Sequence, residues 1–95
     1  MEITYADKKL ALVETERAFE TRLPVAVVDS MRNKLRFLKN APDERSLRNW
    51  KSLNYEKHEN GEKSIRLNDQ YRLMFNIDTQ CTPNRITVLR VWDHS

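Results

Sequence analysis

The sequence is poor in the residues on which several common kinds of functional site depend. Among its 95 residues are one cysteine, one glycine and two histidines. A single cysteine, Cys81, excludes an internal disulfide, and its surroundings supply no activating base, so we interpret it as a loop residue. A single glycine excludes a glycine-rich phosphate loop, and two histidines without a cysteine pair are too few for a typical zinc site. We therefore expect no metal and no small-molecule cofactor.

Long hydrophobic runs are also missing. No apolar stretch approaches the ~18 residues that a membrane helix needs, and no basic-then-apolar leader opens the chain. We therefore expect a cytoplasmic protein without a membrane partner. The 39% hydrophobic residues suffice for one modest core, which predicts a single domain over residues 1–95.

Basic residues are unevenly distributed along the chain. The net charge of +3 by itself says little, because many ordinary domains are as basic. Between residues 45 and 72, however, there are seven basic residues and only four acidic ones, and the basic residues are interspersed with Trp50, Tyr55 and Tyr71. Basic residues interleaved with aromatics suit single-stranded RNA, whose phosphates they neutralise and whose bases they stack. A solvated surface is the alternative interpretation. The seven are Arg45, Arg48, Lys51, Lys57, Lys63, Arg66 and Arg72.

Residues 64–75, with the sequence SIRLNDQYRLMF, predict a β-hairpin. Apolar side chains alternate with arginines on both strands, so Arg66 and Arg72 fall on the face opposite the apolar residues. Two guanidiniums on one face can converge on a phosphate with bidentate geometry. Two solvated arginines on an open sheet are the competing interpretation. The apolar set is Ile65, Leu67, Tyr71, Leu73 and Phe75.

The N-terminal half predicts a short strand and two helices. Residues 2–5 are a strand, and Asp7 is a suitable N-cap for a helix that runs to about Glu20. Pro24 in a first-turn position begins a second helix, which runs to about Lys39. That helix has apolar residues at helical spacing and hence a buried face, formed by Val27, Val28, Met31, Leu35 and Leu38.

The C-terminal half predicts strands and turns. Residues 51–56 are a further strand, residues 56–61 are a turn in which Gly61 supplies a positive φ, and residues 85–92 are the last strand. Together these elements predict an α+β fold with two N-terminal helices packed on one face of a small antiparallel sheet. The connection that precedes these strands is fastened to the core by Leu47, Trp50 and Leu53.

The hairpin sequence, placed after two helices and before one last strand, resembles the RelE/ParE toxin superfamily and specifically its HigB-like branch of plasmid-maintenance killer proteins. The likeness covers nearly the whole chain in length and element order. It implies a type II toxin that cleaves mRNA on the ribosome and is silenced by a cognate helix-turn-helix, HigA-like antitoxin.

Metal-independent RNA cleavage requires three tasks. One group helps to remove the proton of the ribose 2′-OH, cations stabilise the phosphorane-like transition state, and an acid protonates the departing 5′ oxygen. Arg66 and Arg72 fit the second task. For proton transfer the leading candidates are His94 and His58, because histidine titrates near neutral pH, while Asp93 can orient a histidine or act as a base itself.

The last strand adds two further candidates. Arg90 and Trp92 share one of its faces, and Leu89 and Val91 take the other. If the first face continues the arginine face of the hairpin, Trp92 is positioned to stack a base. The predicted RNA-binding residues are therefore Lys57, Lys63, Arg90, Trp92, Arg48 and Lys51.

The resemblance also assigns roles to individual residues. Relatives carry a functional arginine in the aromatic-Arg-Leu step, which is Arg72 here, and a basic residue on the preceding strand, which matches Arg66. HigB-like relatives close with Asp-Tyr-His, whereas this chain closes with Asp93, His94 and Ser95. His94 thus stands at the tyrosine position and can take over the function of the lost histidine. His58 or Lys57 fills the place of a loop histidine found in some relatives.

Two alternatives from other functional classes remain. One is a non-catalytic toxin of the same fold that inhibits a target such as DNA gyrase, as ParE-like relatives do. The other is a plain RNA- or protein-binding module, which the altered C-terminal ending would suit if His94 were dispensable.

Overall fold

One five-stranded sheet and one long helix dominate the protein. The structure is a computed structural model, and it describes residues 1–93. His94 therefore lies outside the described residues, and so does Ser95. The strands are β1 (Glu2–Tyr5), β2 (Glu56–Lys57), β3 (Lys63–Arg66), β4 (Tyr71–Asp78) and β5 (Arg85–Asp93). The helices are α1 (Val25–Asn40) and α2 (Ser46–Asn49), with 3₁₀ helices at Lys8–Glu14, Ala18–Thr21 and Lys51–Leu53.

The sheet has the strand order β1-β5-β4-β3-β2 and is mixed. Strands β2 to β5 pair antiparallel, as predicted, but β1 pairs parallel to β5, with Ile3 opposite Ile86. The α+β class is confirmed, and the purely antiparallel sheet is corrected to a mixed one. Residues 2–5 are a strand as predicted. Their direction relative to a strand eighty residues away depends on the path of the intervening chain, which no local pattern encodes.

The predicted first helix is not a continuous α-helix. Asp7 does cap its start and accepts a hydrogen bond from the backbone N–H of Lys9, at 3.0 Å. Thr15 then takes an extended conformation, and its hydroxyl donates to the carbonyl of Leu12 and accepts from the backbone N–H of Arg17. A threonine side chain that bonds its neighbouring backbone competes with helical hydrogen bonding, and here it separates two 3₁₀ helices.

A contact from α1 holds this break in place. Arg32 donates from Nε to the carbonyl of Val13, at 2.7 Å, and from Nη2 to the carbonyl of Thr15, at 2.8 Å. Val13 belongs to the last turn of the first 3₁₀ helix, where carbonyls lack helical donors, and Thr15 follows that helix. The Thr15 carbonyl also accepts from the backbone N–H of Ala18, at 3.3 Å, so Arg32 adds a tertiary contact to the local hydrogen bonds at this break.

Helix α1 agrees closely with its prediction. It begins directly after Pro24 and ends at Asn40, and the five residues of the predicted apolar face are all buried. It packs against the apolar face of the sheet, and burial of each large aliphatic side chain contributes roughly 1.5–3 kcal/mol. Among residues 1–93, no helix has the length and apolar character needed to cross a bilayer. The sheet residues that are fully buried in this core include Ile65, Leu73, Phe75, Ile86 and Val88.

The segment between α1 and the hairpin was only partly predicted. Leu47 and Leu53 are fully buried and Trp50 packs against the core, as expected. Residues 51–56 do not form a strand, however: a 3₁₀ turn comes first and β2 begins only at Glu56. Asn54 lies between them in the left-handed region, at φ 49°, which interrupts an extended chain. The turn before β3 contains Gly61 at φ 87°, as predicted.

Candidate nucleic-acid interface

Two arginines and a tryptophan form a row across three adjacent strands. Arg66 of β3 is the direct partner of Arg72 of β4, which is the direct partner of Trp92 of β5. Direct partners point to the same face of a sheet, with Cβ atoms about 4.5–5.5 Å apart. This face lies opposite the core, which confirms the predicted arrangement of the hairpin. We define the arginine face as this row and the next one along the strands: Arg66, Arg72, Trp92, Ser64, Met74 and Arg90.

Each arginine of the row is anchored to the hairpin turn. Arg72 donates from Nη1 to the backbone carbonyl of Asn68, at 3.1 Å. Arg66 pairs with Asp69, an exposed carboxylate at i+3. An exposed ion pair contributes at most ~1 kcal/mol, so a phosphate can replace Asp69 at low cost. The anchor of Arg72 is a neutral carbonyl, which orients the guanidinium without neutralising its charge.

The row places two positive charges directly opposite each other. Like charges at directly opposed positions destabilise a sheet. An anion between Arg66 and Arg72 would relieve this repulsion and accept hydrogen bonds from both guanidiniums. The geometry is therefore suited to a phosphate or to a developing negative charge on one.

His58 lies on the same face and is held by Ser64. Its Nε2 is 2.8 Å from Ser64 Oγ, and Ser64 precedes Arg66 by two residues on β3. Ser64 is only 2% exposed, and its contact therefore gives the imidazole a fixed position. The backbone adds a second tie, because His58 N–H donates to the carbonyl of Glu62, at 2.8 Å. Ser64 is not among the site residues predicted from the sequence, since a serine in an alternating strand carries no distinctive signal.

We expect the Ser64→Ala substitution to release the His58 ring. Loss of one hydrogen bond should cost about 0.5–1.5 kcal/mol of stability, and the imidazole should begin to exchange between orientations. NMR of the ring nitrogens measures this directly, and thermal melting reports the stability. Ser52→Ala, at an exposed position, is the matched control. Unchanged His58 ring signals in a folded Ser64→Ala protein would show that the contact does not position the ring.

Arg90 and Trp92 continue the arginine face, as predicted, but Arg90 is held in an ion pair whereas the Trp92 ring is partly exposed. Arg90 donates from Nη2 to both carboxylate oxygens of Glu62, at 2.9 and 3.1 Å, and this partner is largely buried. Trp92 is 44% exposed, so its ring can stack on a base. Val91 takes the other face of β5, opposite Leu73, as predicted, whereas Leu89 has no partner in the ladder because a β-bulge interrupts the register.

Asp93 is placed away from the two arginines. It follows Trp92 in the strand and is the direct partner of Tyr71, so alternation puts it on the other face of the sheet. Gln70 Nε2 donates to both of its carboxylate oxygens, at 3.2 Å each. Three residues are proposed for proton transfer. The structure places His58 on the arginine face and Asp93 on the opposite side, and His94 lies outside the described residues.

Lys57 and Lys63 lie at the edge of the sheet, apart from the arginine face. They are direct partners, in register with core residue Phe75, and therefore point to the opposite side from Arg66. Lys57 Nζ is 3.4 Å from a carboxylate oxygen of Glu44, and Lys63 Nζ donates to the carbonyl of Gly61, at 2.7 Å. These lysines accordingly do not join the row of Arg66, Arg72 and Trp92.

Arg48 and Lys51 belong to a second basic region. They border a pocket of about 240 Å³ outside the arginine face. The Arg48 guanidinium lies 5.6 Å from the centroid of the Tyr55 ring, within cation–π range. The basic residues of the predicted interface thus fall into separate groups. The pocket is lined by Leu47, Arg48, Trp50, Lys51, Asn54 and Tyr55.

Two other reactive side chains are in unreactive states. Burial and a hydrogen bond to Glu44, at 2.7 Å, raise the pKa of Tyr55, so its phenol remains a donor rather than a base. Cys81 lies in the loop before β5, as predicted, and its hydrogen bond to Asp78 raises the pKa of the thiol. Within residues 1–93, no cluster of three or more His, Cys, Asp or Glu residues is arranged to hold a metal ion.

Comparison with known proteins identifies the fold. No protein-family model matches the chain, and no curated protein matches it. Among solved structures, the chain is similar to a YoeB/ParE toxin from Agrobacterium tumefaciens, with a TM-score of 0.61 and 14% identity over 100% of both chains. Identity this low leaves the likeness as one of fold. The sheet, the helix and the hairpin described above therefore form a RelE/ParE-like fold, as the hairpin sequence predicted.

Proposed function

We propose that the protein is the toxin of a type II toxin–antitoxin system, of the HigB-like kind, and that it cleaves mRNA on the ribosome in the cytoplasm. The observation that supports this most is the row of Arg66, Arg72 and Trp92 on three adjacent strands of a RelE/ParE-like fold. Two oriented cations beside an exposed aromatic ring match a phosphodiester and its neighbouring base. A cognate helix-turn-helix antitoxin of the HigA-like kind would silence the toxin.

In this proposal the arginines stabilise the transition state. Negative charge accumulates on the phosphate oxygens as the 2′ oxygen attacks. Arg72 is oriented by the Asn68 carbonyl before substrate arrives, so little reorganisation is needed during the reaction. Arg66 exchanges Asp69 for the phosphate and holds the same or the neighbouring phosphodiester.

Proton transfer is assigned to histidine. Ser64 holds His58 on the arginine face, where an imidazole can accept the 2′-OH proton or protonate the 5′ oxygen. His94 follows directly after β5 and is the second candidate, in keeping with the C-terminal position of the catalytic residues in HigB-like relatives. Asp93 acts indirectly in this scheme, because Gln70 and strand alternation place it on the other side of the sheet.

The ribosome supplies what the small protein lacks. The described residues offer few groups that could bend an mRNA into the geometry of in-line attack. Positioning of reactants can contribute ~7–11 kcal/mol in well-oriented systems. We therefore expect cleavage of mRNA only when it is bound in the ribosome.

Expression of the untagged chain should stop bacterial growth, and co-expression of its antitoxin should restore it. Translating extracts that contain the purified protein should accumulate mRNA fragments with 2′,3′-cyclic or 3′ phosphate ends. An extract with the same mRNA but without ribosomes is the control and should keep its mRNA intact. Unimpeded growth together with intact mRNA in translating extracts would contradict the proposal.

The placement of Asp93 favours one second candidate, a non-catalytic inhibitor of DNA gyrase. If Asp93 is needed for cleavage in this fold, its position opposite the arginines argues for a toxin that acts by binding. The structural relative is itself described as a YoeB/ParE toxin. Growth arrest with intact mRNA and double-strand breaks in DNA would identify this second function.

A further inference from the structure

Strand β3 is paired along only part of its outer edge. Within the described residues, β2 pairs with Lys63 and Ser64 and reaches no further along β3. Next to the part that β2 leaves unpaired, α1 approaches the strand, and Ser30 Oγ donates to the carbonyl of Leu67, at 2.6 Å. One turn of α1 therefore lies directly beside the strand end that carries Arg66.

Lys34 stands in the next turn of the same side of α1. It follows Ser30 by four residues, the spacing at which helical side chains are neighbours. Its Nζ lies 4.8 Å from the centroid of the Trp50 ring, which is itself fixed by an edge contact with Phe37, at 4.9 Å between centroids. Burial and the positive charge of Arg66 both lower the pKa of Lys34, in agreement with its position between Trp50 and Arg66.

Lys34 thereby links the two basic regions of the protein. On one side, Ser30, one turn earlier, contacts Leu67, which follows Arg66 in the chain, and the charge of Arg66 lowers the pKa of Lys34. On the other side it contacts Trp50, which lines the pocket shared with Arg48 and Lys51. Adjacent cations repel each other. An RNA backbone bound along them would reduce this repulsion, because each phosphate neutralises the cation beside it.

We propose that single-stranded RNA bound at the arginine face crosses the outer edge of β3 beyond its pairing with β2 and places a further phosphate against Lys34, on its way to the pocket beside Trp50. This site rests on the proposed function, because it extends the RNA beyond the reacting phosphodiester. Lys34 is a binding residue here and takes no part in the chemistry. The crossing makes affinity depend on RNA length, since a short RNA reaches only the arginine face.

Salt-dependent binding tests this site without any cleavage. The probes are two 2′-O-methyl oligonucleotides, a short one that fills the arginine face and a longer one that extends past it. Each phosphate contact contributes roughly 0.7 to the slope of log K against log salt for single strands. Lys34→Gln should lower that slope by about 0.7 for the longer RNA and leave the shorter one unchanged. Lys34→Arg should keep the slope of the original protein.

Arg36→Gln is the matched control, because it removes one charge from a different side of the same helix. It should bind both oligonucleotides like the original protein, and thermal melting should show all three variants folded. Equal slopes for Lys34→Gln and Arg36→Gln on the longer RNA would overturn the site, as would a failure of the original protein to bind that RNA.

Cleavage assays on ribosomes separate this inference from the proposed function. If the original protein cleaves mRNA but Lys34→Gln leaves the slope unchanged, the Lys34 site is wrong and the toxin activity stands. If the slope changes as expected and no mRNA is cleaved, the Lys34 binding site is correct and the proposed nuclease activity is wrong.

Discussion

Arg72→Ala is expected to reduce mRNA cleavage on programmed ribosomes by ~10²–10³-fold while the protein stays folded. Removal of one donor that faces transition-state charge typically costs about 2.7–4 kcal/mol. The side chain lies on the face opposite the core, so its loss removes little packing. Arg66→Ala should have a weaker effect, because Asp69 already neutralises part of the charge of Arg66.

Cleavage by each purified variant, with thermal melting alongside, measures this effect. Arg85→Ala is the matched control: Arg85 lies at the far end of β5 and pairs with Glu2, at 3.3 Å. It should cleave normally. Near-normal cleavage by a folded Arg72→Ala protein would remove the arginine face from the mechanism. In the same assay, the more severe of His58→Ala and His94→Ala identifies the main proton-transfer residue.

Leu73→Ala should instead fail through instability, losing about 2–5 kcal/mol of the free energy of unfolding. Leu73 is adjacent to Arg72 but points into the core, where it is fully buried between Ile65 and Val91 of the neighbouring strands. Truncation leaves a cavity in the centre of the sheet that the neighbours fill only in part. Chemical denaturation measures the loss directly.

The two substitutions on adjacent residues separate chemistry from stability. At low temperature, where enough Leu73→Ala protein is folded, its cleavage should recover, whereas that of Arg72→Ala should not. Asn76→Ala on the same strand is the stability control and should stay within about 0.5 kcal/mol, because the side chain is exposed. A Leu73→Ala protein as stable as the original would contradict the burial of this residue.

The sequence by itself determined the parts of the fold that depend on local periodicity. Alternation with a period of two placed Arg66 and Arg72 on one face of the hairpin and Leu73 and Phe75 on the other, because successive side chains of a strand point to opposite sides. Helical spacing after Pro24 identified α1 and its buried face for the corresponding reason. Gly61 marked its turn because glycine readily adopts the positive φ found there.

Only the tertiary structure decided how distant segments meet. The parallel pairing of β1 with β5 and the contact of Arg32 with the break at Thr15 depend on segments far apart in sequence, and the bulge at Leu89 depends on how β5 pairs with β4. Tertiary structure also distributes the basic residues over different surfaces of the protein. The basic residues between 45 and 72 separate into the arginine face, the edge lysines and the Trp50 pocket. Strand register sets the sides taken by the arginines and the edge lysines, and the short helices before β2 carry Arg48 and Lys51 to the pocket.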